Sequence, residues 1–162
     1  LGHYNTDGSN LNTYPAVYRG ILNFFGDIWT FIRDVVIINR NANYNSVYLL
    51  KKGVNYSDIT IDNIQDKCYF IGDQANTNNF ITEFDFRFGP YFVPNKVGTN
   101  KKADYNWIRG NNGQDTDKAV RVLLFGGDAR SSSATGSCDL SADWAQPVSS
   151  AHVGFFTTVK LD

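Results

Sequence analysis

The run Val120-Arg121-Val122-Leu123-Leu124-Phe125, halted by Gly126-Gly127, constrains this chain more than any other feature. A short run of this kind, bounded by glycines, reads as a strand buried in the body of a sheet. A polar, Ser-rich segment (128–151) follows it, and a last strand is expected from His152 to Val159. A buried strand, a long small-residue loop and a returning strand are how a fixed frame presents a variable surface. The pattern argues for display and binding before it argues for catalysis.

Composition points the same way. Eighteen Asn and 14 Gly against the single Glu83 describe a loop-rich, helix-poor chain. The 162 residues are enough for one domain with a real core. A net charge of −1 gives no electrostatic case for nucleic acid or an anionic membrane, and no apolar run is long enough to insert in a bilayer. There is no Met, and residues 1–13 are rich in Gly, Asn, Ser and Thr. They read as the tail of a linker on a processed or excised piece, with the domain spanning 14–162. Cys68 and Cys138 match no zinc spacing and read as free thiols, with a single disulfide as the alternative.

Further elements follow from local pattern. Residues 18–25 (YRGILNFF) predict a short helix stopped by Gly26. Residues 27–38 alternate as a strand, with Ile28, Thr30 and Ile32 on one side and Trp29, Phe31 and Arg33 on the other; a helix through Arg33 competes. Residues 39–46 form a turn cluster, and 47–51 and 67–72 are short strands. Residues 80–88 (FITEFDFRF) predict a strand with a buried aromatic face and a wet face carrying Glu83, Asp85 and Arg87. Residues 95–117 read as a long polar connection that contains Trp107.

Catalytic patterns are thin. His3 and His152 limit general acid–base chemistry, and neither sits in a nucleophile signature. Asp128, Asp139 and Asp143 share the C-terminal loop, where turn-stabilising roles account for them better than a paired-carboxylate site. Asp58 to Asp62 and Asp115 to Asp117 alternate oxygen ligands without an EF-hand's Gly and Glu, so no metal and no cofactor is expected. Trp107 and Trp144 lie among Asn, Gln and Ser. An aromatic plane with polar groups beside it suits a sugar ring, and anchoring a loop to the core is the alternative for both.

Three segments carry a resemblance: Tyr18-Arg19-Gly20-Ile21 with Phe24-Phe25-Gly26-Asp27-Ile28-Trp29, then 120–127 (VRVLLFGG), then Gly154-Phe155-Phe156. Phe92-Val93-Pro94, Val97-Gly98 and Asp104-Tyr105 fall between them in matching order. In these segments the chain resembles the C-type-lectin-fold domains at the C-terminus of phage tail and other virion surface proteins. It is distantly similar to the formylglycine-generating, sulfatase-modifying family. Asp27 stands where the family pattern has Asn, Phe31 where it has a second Trp, and Phe156 where it has Arg. The paired cysteines of the enzyme branch are not reproduced around Cys138, which speaks against that activity.

The resemblance implies an α+β, C-type-lectin-like fold of short, mostly antiparallel strands with one or two short helices and long loops. It also implies a non-catalytic virion-surface domain that binds the host cell exterior through residues 128–151, with a glycan as the expected receptor. Asp128, Arg130, Ser131, Ser132, Asp143, Trp144 and Gln146 are the expected contacts, with Trp107 beside them. Other virion proteins are the expected partners, and a homo-oligomer, a trimer, is the expected assembly, since copies supply avidity. A structural decoration protein packing the same loops on its neighbours is the alternative.

Overall fold

The structure is a computed structural model, and it describes residues 17–18, 21–22, 29–40, 43–88, 91–99, 104–108, 120–127, 139–144 and 153–154. The expectations for residues 1–13, Cys138, His152 and 155–159 lie outside them.

The described chain is dominated by strands. β1 (Val17–Tyr18) and β2 (Ile21–Leu22) form a small antiparallel pair. β3 (Trp29–Asn39) and β4 (Tyr44–Leu50) form a hairpin, and the chain then makes a 3-10 turn at Tyr56–Asp58 and a single-turn helix α1 (Ile64–Lys67). β5 (Cys68–Ala75), β6 (Asn79–Phe88), β7 (Tyr91–Gly98), β8 (Tyr105–Ile108), β9 (Val120–Phe125), β10 (Leu140–Ala142) and β11 (Val153–Gly154) complete it. The main sheet runs β5-β4-β3-β9-β10-β8-β6-β7, with β11 alongside β3. Pairing is antiparallel except between β10 and β8 and between β11 and β3.

The sheet curls until its two ends meet. Val35, Ile37, Val47 and Ile71 of β3, β4 and β5 share one core cluster with Ile81 and Val93 of β6 and β7. A methyl group at Gly72 of β5 would lie 3.5 Å from Val93 Cγ2, an ordinary van der Waals contact, so β5 and β7 face each other across a single layer of side chains. The opposite face carries two further clusters. One joins Val36, Leu50, Ile59, Ile64 and Cys68 beneath the connection that holds α1, and the other joins Trp29, Val122 and Leu124. β9 therefore has apolar partners on both faces, as a buried strand needs: Leu123 points to the first cluster, and Val122 and Leu124 to the last. It ends at Gly126 and Gly127, whose φ of 96° and 71° favours residues without a Cβ.

Several expectations change on contact with this architecture. Tyr18, Ile21 and Leu22 pair as strands, where a helix was expected over 18–25; an isolated two-turn helix is marginal, and a hairpin satisfies the same backbone groups. The strand expected over 27–38 is present from Trp29, and its alternation is reset by a bulge between Phe31 and Val36, where Asp34 takes φ of 67°. The Tyr56 hydroxyl braces that bulge, 2.5 Å from the Val35 carbonyl and 3.1 Å from that of Ile32. The turn expected over 39–46 is shorter, because Tyr44, Asn45 and Ser46 are already paired in β4.

The aromatic face of β6 is not the buried one. Ile81 is 4% exposed and Phe86 is 64% exposed. Two register shifts against β7, one on each side of Glu83, move the inward phase from Ile81 to Phe84. A one-residue slip exchanges the faces of a strand. Finally, 95–117 is not a continuous connection: Asn95 to Gly98 belong to β7, and Tyr105–Ile108 is β8.

Candidate functional site

The segment expected to run as one loop from 128 to 151 is divided by β10, which lies between β9 and β8 in the sheet. Leu140 and Ala142 are fully buried, and Ser141 pairs with Leu124 on one side and Trp107 on the other. The local reason is composition: Leu-Ser-Ala is small and apolar enough to sit in the middle of a sheet, and the serine does not open a cavity. Asp139, entirely buried, fastens the start of β10. Its Oδ1 accepts the Tyr105 N–H at 2.6 Å, and its carbonyl accepts the Gly126 N–H at 2.9 Å. A carboxylate joined to β8 in this way is a structural clasp, which accounts for Asp139 of the three loop aspartates.

Past β10 the chain turns outward at Asp143 and Trp144. Both are held by their carbonyls: Arg121 Nη1 donates to the Asp143 oxygen at 2.8 Å, and the Val122 N–H donates to the Trp144 oxygen at 3.1 Å. Arg121 is 1% exposed, so this cation is spent on positioning from within the core. The Asp143 N–H also reaches Ser141 Oγ at 3.4 Å. The result is a backbone fixed to β9 and a tryptophan that stays 37% exposed at the rim. Asp143 is half-buried beside it.

Trp107 occupies a different setting. It is a β8 residue, half-buried against Trp29, Val122 and Leu124, with its ring 4.5 Å from that of Tyr105. Tyr105 in turn meets Phe80 edge-on at 4.9 Å. The packing is that of an anchor between β8 and β9, the alternative weighed for it from the sequence. Of the expected contacts, Asp143 and Trp144 are adjacent at the rim and Trp107 lies on the neighbouring strand. Asp128, Arg130, Ser131, Ser132 and Gln146 lie outside the described residues.

Other candidates resolve into structure. Asp58 offers its carbonyl to Asn63 Nδ2 at 2.9 Å and to Lys67 Nζ at 3.0 Å, while Asn63 Oδ1 accepts the Thr60 N–H at 2.9 Å; these bonds close the loop on itself. Among the described residues no cluster of His, Cys, Asp and Glu is arranged to hold a metal ion. Cys68 is a buried free thiol whose pKa burial pushes up, which favours its protonated form.

A set of buried amides went unseen in the sequence, where Asn read as a turn former. Gln74 Nε2 donates to Asn106 Oδ1 at 2.7 Å, and Asn106 Nδ2 donates to the carbonyls of Ala75 and Thr77 at 3.0 and 3.2 Å. Asn45 Nδ2 lies 3.4 Å from Asn76 Oδ1, and all four side chains are at most 2% exposed. Together they tie β4 and β5 to β8 where the sheet closes. Their only sequence signal was position: Asn45 and Asn106 each fall among aromatic and β-branched residues.

No protein-family model, curated protein or solved structure matches this chain.

Proposed function

We propose that this chain is a non-catalytic display domain of C-type-lectin-like type, carried on a virion surface, that binds the host cell exterior and reads a glycan there. The observation that carries the reading is Trp144. Its backbone is bonded to β9 and the residue is 37% exposed, between two stretches of polar, small-residue sequence. A rigid aromatic loses little conformational freedom on binding, and adaptable Ser, Arg and Gln neighbours match hydroxyl groups. The resemblance supplies the virion context. In support, described residues at or next to the ends of its three segments lie side by side: Trp29 pairs with Val153, and Thr30 pairs with Gly154 and Phe125. Assembly in copies, as a trimer, would turn weak single-site binding into avidity.

The test is adsorption of the labelled chain, presented as a multimer, to candidate bacterial host cells before and after periodate oxidation of surface sugars. Binding that is lost on oxidation and on Trp144→Ala, with the melting temperature nearly unchanged, is the expected result. Undiminished binding by Trp144→Ala, or by oxidised cells, would overturn the glycan reading.

A further inference from the structure

A second concave surface lies on β3, β4 and β5, two or more strands from β10 in the sheet order. It is a groove of about 520 Å³ between the strand ends and α1. Its floor is aromatic: Phe70 is 46% exposed, and Tyr48 meets it edge-on with ring centroids 5.6 Å apart. Its wall is polar, formed by Asn39, Arg40, Ser46 and Gln65.

Three features of that wall narrow the occupant. Asn39 Nδ2 is buried and has no acceptor among the described residues. A buried amide donor left unmade is costly, so an acceptor that met it on a small turn of the Asn39 side chain toward the groove would gain more than at an open surface. Arg40 Nη1 is engaged by both oxygens of Asp73 at 3.1 and 3.2 Å, and Ser46 Oγ donates to the same carboxylate at 3.2 Å. The cation of the lining is therefore paired with Asp73, which leaves this wall locally balanced in charge. What remains is an aromatic face beside uncharged donors and acceptors, on a scale that holds a small ligand.

We propose that this groove is a binding site for a neutral sugar ring, distinct from the Trp144 rim. The C–H face of a pyranose would lie on Phe70, where partly positive hydrogens meet the negative face of the ring. A hydroxyl oxygen would accept from Asn39 Nδ2, and a second hydroxyl would bond the Gln65 amide, which stands exposed on α1. The proposal stands on the groove's own lining and is independent of the reading of residues 128–151.

The experiment is a titration of the full 162-residue chain with the methyl glycosides of glucose, galactose, mannose and N-acetylglucosamine, followed by side-chain amide and aromatic NMR. At least one glycoside should move the Asn39 and Gln65 amide resonances with millimolar affinity. Phe70→Ala should weaken that binding about tenfold or more, as loss of a central aromatic contact does, while Phe70→Trp retains it. Should Phe70→Ala fail to fold, Gln65→Ala and Asn39→Ala carry the same test from the opposite wall. Trp144→Ala should leave these shifts in place. Unmoved Asn39 and Gln65 resonances across the panel would overturn the proposal. So would a binding event that Trp144→Ala abolishes and Phe70→Ala does not, and that result would leave the Trp144 reading standing.

Discussion

β9 and β6 are both strands rich in large apolar side chains, yet they end in opposite situations. β9 lies between β3 and β10, with Leu124 fully buried on one face and Leu123 almost so on the other. β6 lies one strand from the end of the sheet order, and it carries the 64% exposed Phe86 and a series of exposed charges. The difference is made by neighbours and not by hydrophobicity. Layers on both faces of β9 leave no choice of phase. On β6 the bulges shift the phase, so that Ile81 and Phe84 both turn to the core and Phe86 is left out. The well-packed centre can hold loops in place, whereas the bulged arm is free to vary at its surface.

The contrast can be broken most directly at the centre. Leu124→Ala should cost about 3–5 kcal/mol in denaturant unfolding, the range for a fully enclosed leucine whose neighbours cannot close over the cavity. A cost below about 1 kcal/mol would mean that β9 is not held from both sides.

On β6 the informative measurement is a pair. Ile81→Ala should lose about 2–4 kcal/mol, and Phe86→Ala should stay within about 0.5 kcal/mol of the parent. Reversal of that order would restore the aromatic face as the buried one and remove the bulges from the explanation.

The smallest effect concerns the exposed charges. Glu83 accepts from Lys96 Nζ at 2.6 Å and from Asn95 Nδ2 at 3.0 Å, and these bonds hold its carboxyl below the ordinary value of 4.5. A lowered folded pKa stabilises the fold above the unfolded value, and that contribution is lost as the pH falls through the lowered one. An NMR titration should place the Glu83 midpoint below 4.5, and Lys96→Ala should move it upward. An unshifted midpoint would show that the cross-strand pair does not persist in solution; the effect on stability should be slight at an exposed site.

These elements also show how far pattern reading reaches. The strands at 120–125, 47–51 and 67–72 were legible because β-branched and aromatic runs between polar clusters have few other uses. Trp29 was legible within a strand expected over 27–38, and it stands at the head of β3, 7% exposed in the core. The phase of β6 was not legible, because an inserted residue changes no composition. β10 was hidden for a different reason: the composition of Leu-Ser-Ala permits a central strand without specifying one, and its place between β8 and β9 decides it.

The Trp144 rim was half visible. An aromatic among small polar residues identified it, but the carbonyl bonds from Arg121 and Val122 that fix its backbone join residues 22 apart in the chain. The groove on β3, β4 and β5 was not visible at all, since Asn39, Ser46, Gln65 and Phe70 meet only through the hairpin register and the position of α1.

From its residues alone, this chain was bound to be helix-poor and sheet-rich, with β9 at its heart. Asn and Gly in such numbers do not sustain long helices, and the β-branched and aromatic runs between them must pair to satisfy their backbones. Tertiary structure decided which faces those strands bury, which asparagines become core amides and which tryptophan stays at the surface. Each of these depends on a register or a crossing between distant segments, and local sequence carries no energy term for a neighbour it has not yet met.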